Sequence, residues 1–300
     1  MRLLITGSNG LLGQKLLGRL HQQPGVTLLA TARGANRLAD VFPTVPFTVL
    51  DVTDAAQVDR VIGEWQPTHV VHTAAMTNVD ECELNQDACW RQNVTATENL
   101  ARACAAHGVH LTHLSTDFIF DGSRGLLAED AVPNPISHYG RSKLAAEQAV
   151  QRVPDLRWAI ARTVLVYGVV HGGGRTNIVL WVRDSLRAGK PIKVVSDQWR
   201  TPTLAEDLAE GCWLLARHDA QGIYHLSGRE YLTPYDIAQR VAAYFSLDAS
   251  LIERVDASTF SQPAQRPLRT GFVIDKAARE LGYQPHSFAE GIGIVSAQAG

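Results

Sequence analysis

The strongest constraint on this chain comes at its start, where the apolar run "RLLITG" (2–7) breaks at a glycine and passes straight into "SNGLLGQKLLGRLHQQ". Gly7, Gly10 and Gly13 punctuate the junction, and a helical spacing of leucines follows. A strand that turns through glycines into a helix predicts a βαβ unit rather than a hairpin. Glycines in that turn allow a tight bend, backbone approach to a pyrophosphate and close helix–strand packing, while the helix N-terminus attracts negative charge. The spacing is G-x-x-G-x-x-G rather than G-x-G-x-x-G. A dinucleotide is the ligand this turn predicts.

The same alternation continues. "VTLLATAR" (26–33), "PFTVLDV" (46–52), "THVVHTAA" (68–75), "VHLTHLSTD" (109–117) and "RWAIARTVLVYG" (157–168) read as strands. Their β-branched and aliphatic content suits a parallel sheet covered on both faces. Segments such as "QDACWRQNVTATENLARACAAHG" between them carry apolar residues at helical spacing. The predicted fold is α/β, a doubly wound parallel (Rossmann) sheet. A chain of 300 residues exceeds what one core fills, so a second, smaller α/β lobe is expected. The pattern loosens after residue 168 and returns with "LAEDLAEGCWLLARH" and "GIYHLSG". Residues 1–168, completed by 203–227, are therefore read as the dinucleotide-binding domain, and 169–202 with 228–300 as a substrate-binding lobe.

Several function classes are disfavoured. A net charge of −2 with both signs interspersed gives no nucleic-acid surface. Cys82, Cys89, Cys104 and Cys212 form no C-x-x-C and no zinc spacing, so reduced thiols and no metal are expected. No secretory leader and no membrane-spanning run is legible, which predicts a cytoplasmic protein with no membrane partner. His69/His72 and His110/His113 lie three apart on predicted strands, a spacing that sends side chains to opposite faces and argues against a shared metal. "HGGGR" (171–175) echoes an esterase oxyanion loop, but no G-x-S-x-G elbow accompanies it.

Other residues carry chemistry. Arg33, with Arg37 nearby, closes the second strand where a carboxylate would bind a ribose hydroxyl. An arginine there suits a 2′-phosphate, predicting NADPH, with NADH still open. Asp51 and Val52 follow the third strand, where an acidic side chain meets adenine's amino group. "YGRSK" sets Tyr139 and Lys143 one helical turn apart. Alone, the pair is either a solvated surface contact or an acid beside the charge that tunes it. Ser115 and Thr116 either cap a strand end or offer a hydroxyl to a substrate oxygen at the sheet's carboxyl edge.

Taken together, the glycine turn, "HTAAMTNVDECE" and "YGRSK" resemble the extended short-chain dehydrogenase/reductase superfamily over nearly the whole chain. "HLSTDFIFDG", "YGRSKLAAE", "DQWRTPT" and "RPLRTGF" are similar to the dTDP-4-dehydrorhamnose reductase family, whose members reduce nucleotide-linked 4-keto-6-deoxysugars with NAD(P)H. The resemblance implies that Tyr139 is the general acid and that Lys143 lowers its pKa and holds the nicotinamide ribose. It implies substrate contacts from Thr116 and Asp117, both also counted as catalytic. Gly7, Asn9, Gly10, Leu11, Leu12, Gly13, Ala74, Ala75 and Thr77 become further cofactor contacts. Related dehydratases carry glutamate after the aspartate; here Phe118 stands there, which argues for reduction without loss of water.

Arg200 and Arg266 are expected at the nucleotide sugar. Arg266 and Arg269 either clamp a diphosphate or form surface salt bridges. The family often has tryptophan at Leu165 and a small residue at Arg200. A homodimer is an open expectation. A nucleotide-sugar epimerase and a protein resembling the NADP-binding regulatory subunit of S-adenosylmethionine synthetase are the competing readings.

Overall fold

Parallel strands must be joined by crossovers, and each apolar run here is followed by one. The computed structural model describes residues 1–173 and 177–299. Gly174 and Arg175 of the glycine-rich loop lie outside the described residues. In chain order come β1 (Arg2–Thr6), α1 (Leu11–Leu20), β2 (Thr27–Ala32), β3 (Phe47–Val49), α2 (Ala55–Trp65) and β4 (His69–His72). The short α3 (Val79–Leu84) and α4 (Gln86–Trp90) precede α5 (Ala96–Ala106), β5 (His110–Thr116), α6 (His138–Arg152) and β6 (Trp158–Thr163). Next are β7 (Val166–Tyr167), α7 (Ile178–Arg187), β8 (Ile192–Val195), β9 (Thr203–Leu204), α8 (Ala205–Arg217) and β10 (Gly222–His225). The chain continues with α9 (Pro234–Tyr244), β11 (Ile252–Val255), α10 (Asp275–Leu281) and α11 (Phe288–Ala299).

Seven strands form one parallel sheet in the order β10-β6-β5-β4-β1-β2-β3. The reversal of order beside β1 is the switch point at which such sheets bind ligands. Strand periodicity divides the core: Leu3 and Ile5 pack with α1 and α8, through Leu16, Leu20, Leu208 and Leu215. Leu4 faces the other side with Val58, Ile62 and Leu100. Each such buried leucine contributes roughly 1.5–3 kcal/mol. A separate core lies away from the sheet, where Val179, Val182, Ile237, Val241 and Ile292 meet β8 and β11.

Two predicted elements differ. The run 157–168 is not one strand: Leu165 adopts a left-handed φ of 40°, and β7 leaves the sheet to pair with β9. The helix read over 86–108 contains a π-turn, Arg91–Thr95, between α4 and α5. Such an extra residue in a helix is frequent at functional sites. Among the described residues no helix is long and apolar enough to cross a membrane. The four cysteines are free and buried.

Candidate active site

The glycine turn is held by contacts no side chain would tolerate. Gly7 has φ +69°, and a Cβ on it would stand 2.8 Å from the Ala74 nitrogen. A Cβ on Gly13 would meet the Gly7 carbonyl oxygen at 2.5 Å. These approaches bring Ala74, at the end of β4, against the turn. Gly10 caps α1 without a side-chain acceptor, and the first turn of the helix carries no acid. The backbone N–H groups near Leu11 and Leu12 therefore face the crevice uncompeted. Buried Ser8 Oγ beside them has no hydrogen-bond partner among the described residues. The donor set fits a pyrophosphate.

Asn9 fastens this turn to the loop beyond β2. Its Nδ2 donates to the Ala35 carbonyl at 2.9 Å, and its Oδ1 accepts from Arg37 N at 3.1 Å. Arg33 and Arg37 are both exposed on that loop. Asp51 instead closes a local turn, accepting from Thr53 N at 2.9 Å and Thr53 Oγ1 at 2.8 Å. Val52 is buried and its carbonyl accepts from Asn99 Nδ2 at 3.2 Å. Ala75 is half-buried and Thr77 exposed on the loop after β4.

Helix α6 is capped by Ser137, whose hydroxyl accepts from Gly140 N at 3.2 Å. It presents Tyr139, Lys143 and Glu147 to the interior, all three buried. A solvated surface pair is thereby excluded. The phenol is held well above its ordinary pKa by burial, and the neighbouring Thr116 hydroxyl pulls in the opposite direction. The Lys143 side chain is turned toward β5. Its ammonium donates to the Leu114 carbonyl at 2.6 Å and lies 3.4 Å from His113 Nε2. Burial lowers the lysine's pKa to about 8, with Glu147 opposing the drop. Glu147 in turn takes a two-pronged pair from buried Arg162, at 2.9 and 2.7 Å. Phe118 meets the Tyr139 ring edge-on, centroids 5.7 Å apart.

Asn93 was not singled out from the sequence. Lying in the π-turn, it accepts from Met76 N at 2.8 Å and donates to the Met76 carbonyl at 3.0 Å. Its amide also donates to Ser142 Oγ at 3.0 Å. It ties the loop after β4 to the helix of Tyr139. The available signal was an amide, beside Gln92, inside the helical run 86–108. The histidines also arrange themselves across strands, since the parallel register sets His69 beside His110 and His72 beside His113.

Residues 1–299 match the family described as the RmlD substrate binding domain. The chain belongs to this family. A dTDP-4-keto-6-deoxy-D-glucose reductase of Streptomyces niveus is 35% identical over 288 residues, 95% of this chain and 92% of that protein. The methionine adenosyltransferase 2 subunit beta of Bos taurus is 32% identical over 271 residues, 89% of this chain and 78% of its own. The structure of a dTDP-4-dehydrorhamnose reductase from Bacillus anthracis in complex with NADP aligns with a TM-score of 0.84 at 28% identity, covering 99% of both chains.

Within this member of the RmlD family, both arginines expected at the substrate have protein partners. Arg200 is buried, and its Nη atoms donate to the carbonyls of Trp199 (2.7 Å), Leu268 (3.1 Å) and Pro267. Its Nε lies 3.6 Å from Asp117. Asp117 also accepts from Thr116 Oγ1 at 3.1 Å and from the Thr270 hydroxyl. Burial raises its pKa against the pull of Arg200. Asp117 thus joins β5 to the arm carrying residues 264–272. Arg266 forms a two-pronged pair with Asp80, at 3.0 and 2.7 Å. It also lines a cavity of about 230 Å³ with Trp181, Lys193, Gln198 and Phe260. A larger cavity of about 640 Å³ lies on the outer side of α1 and contains none of Tyr139, Lys143 or Thr116.

Proposed function

We propose that the chain is an NADPH-dependent reductase of a nucleotide-linked 4-keto-6-deoxysugar. One observation carries this reading: α6 buries the Tyr139 phenol beside Phe118 and the Thr116 hydroxyl at the carboxyl edge of β5. A ketone oxygen placed between the two hydroxyls receives the Tyr139 hydrogen bond, and one from Thr116 once that hydroxyl turns from Asp117 toward it. Bound NADPH supplies the hydride. Tyr139 gives its proton to the carbonyl oxygen, and the product is an alcohol. Lys143, drawn toward the crevice, stabilises the phenolate this leaves. Asp117 orients Thr116 from behind. Phe118 cannot transfer a proton, so no water is eliminated.

Gly7, Gly10, Gly13, Leu11 and Leu12 hold the pyrophosphate in this reading, and Ala74, Ala75 and Thr77 flank the nicotinamide side. Arg33 pairs with the 2′-phosphate on the loop that Asn9 fixes. Residues 1–168 and 203–227 form the cofactor half, while 169–202 and 228–300 form the substrate lobe. Arg266 and the cavity beside it receive the nucleotide, and the protein works in the cytoplasm.

The test is NADPH oxidation across a panel of nucleotide-linked 4-keto-6-deoxysugars. Turnover is expected, with NADPH preferred over NADH and that preference erased in Arg33→Asp. A regulatory role has its own support in the likeness to the methionine adenosyltransferase subunit. Saturable NADPH binding, no turnover of any ketosugar and altered kinetics of an added synthetase would establish that role instead.

A further inference from the structure

An ammonium group only donates hydrogen bonds. With Lys143 Nζ 3.4 Å from His113 Nε2, that ring nitrogen must keep its lone pair and the proton must sit on Nδ1. Buried His113 Nδ1 has no partner among the described residues. The ring is thus held in the tautomer that serves Lys143, at the cost of its own unsatisfied donor. Behind it stands His72, with ring centroids 5.5 Å apart, and His72 Nδ1 shares a hydrogen bond with Thr6 Oγ1 at 2.8 Å. The titratable groups facing this cluster are His72 from β4, Lys143 and Glu147 from α6, and Cys82 and Cys89 from α3 and α4. Burial and the lysine's charge hold both histidines far below their ordinary pKa, so both rings are neutral near pH 7.

We propose that His113 is a positioning residue, the resting seat that holds the Lys143 ammonium back in the sheet until a bound cofactor draws it into the crevice. The proposal rests on the reading of Lys143 as the group that grips the nicotinamide ribose. Of the ammonium's three donors, the seat occupies two. Gripping two ribose hydroxyls requires releasing one. The contact released is the longer one, 3.4 Å to His113 against 2.6 Å to the Leu114 carbonyl. A ligand's apparent affinity falls with the fraction of protein in its competent arrangement. Abolishing the seat therefore strengthens cofactor binding, the opposite of what loss of a purely structural residue does.

His113→Phe keeps a planar ring and removes the acceptor. Its dissociation constant for NADPH, measured by fluorescence titration without substrate, should fall about three- to tenfold. His113→Gln, which retains an acceptor, should return the constant toward that of the unsubstituted protein. Equal or weaker binding by a folded His113→Phe protein overturns the proposal. Should that variant not fold, the unsubstituted protein supplies the answer through ¹⁵N-histidine NMR, with His113 assigned from the His113→Gln spectrum. The ligand-free protein should show a neutral Nδ1–H tautomer between about pH 6 and 8, and NADP⁺ should shift the Nε2 resonance. An Nε2–H tautomer would sink the seat. The tautomer is read without cofactor, so failure to bind NADPH at all would count against the reductase reading alone.

Discussion

The floor of the crevice and its far wall are held by different forces. The floor is the crest of β1, β4 and β5, fixed by ladder hydrogen bonds and by leucines packed on both faces. The wall is the arm 264–272, latched to the floor through polar side chains: Arg200 and Thr270 on Asp117, and Arg266 on Asp80. Apolar packing is insensitive to salt and nearly so to pH, whereas ion pairs respond to both. The contrast assigns the parts their tasks. In the proposed reaction the floor sets where atoms react, and the wall sets how firmly the arm 264–272 stays in register with them.

The largest effect should fall on the floor. Tyr139→Phe removes one hydroxyl and leaves the ring against Phe118, so kcat should drop about 10²–10⁴-fold while NADPH still binds. Near-normal turnover on an accepted substrate would remove the general acid from the mechanism. At the wall, Arg200→Met strands the Asp117 carboxylate in a site where both side chains are almost fully buried. Breaking such a pair costs about 3–5 kcal/mol, visible as a lower urea midpoint. Adding Asp117→Asn should return most of that stability, and failure to do so would mean the latch is not electrostatic.

Acid should separate the two regions by sign. His72 in the floor has its pKa lowered to about 3 by burial, so its stabilising contribution is present above its ordinary value and lost as pH falls below it. A single proton gives a slope of about 1.4 kcal/mol per pH unit, and His72→Asn should lessen it. Asp117 in the wall is raised above 3.8, so its contribution is present below that value and lost as pH rises through the folded pKa. Urea midpoints across the acid range in the two single variants, His72→Asn and Asp117→Asn, should therefore change slope in opposite directions. The smallest effect belongs to Arg266, whose pair with Asp80 is partly exposed. Arg266→Gln should change stability by about 0–1 kcal/mol, less in high salt, and raise KM for the nucleotide sugar. A loss as large as that of Arg200→Met would show that the wall is one cooperative unit.

The floor was far more legible from sequence than the wall. Gly7 to Gly13, and Tyr139 with Lys143, depend on spacing within a few residues, and local spacing is what a sequence displays. Arg200 meets Pro267 and Leu268, and Arg266 meets Asp80, across stretches that no periodicity connects. An arginine in "DQWRTPT" reads as a ligand contact or as a carbonyl clamp with equal ease. Lys143 was placed on its helix correctly, but its rotamer was invisible, because the Leu114 carbonyl and His113 that hold it lie on another element. The π-turn at Asn93 escaped for a related reason: a single inserted residue leaves the apolar spacing on either side intact.

The packing of α8 on α1 has a consequence for synthesis. Leu16, Leu17 and Leu20 find their cover in Leu208, Cys212 and Leu215, nearly two hundred residues later. On a ribosome adding about 5–20 residues per second, the amino-terminal βα unit waits on the order of 10–40 s for its partner helix to emerge. During that interval the side of α1 that meets α8 stands open. A chain ended near residue 168 would leave that side open permanently, so the half that carries the glycine turn takes part of its core from the half that follows.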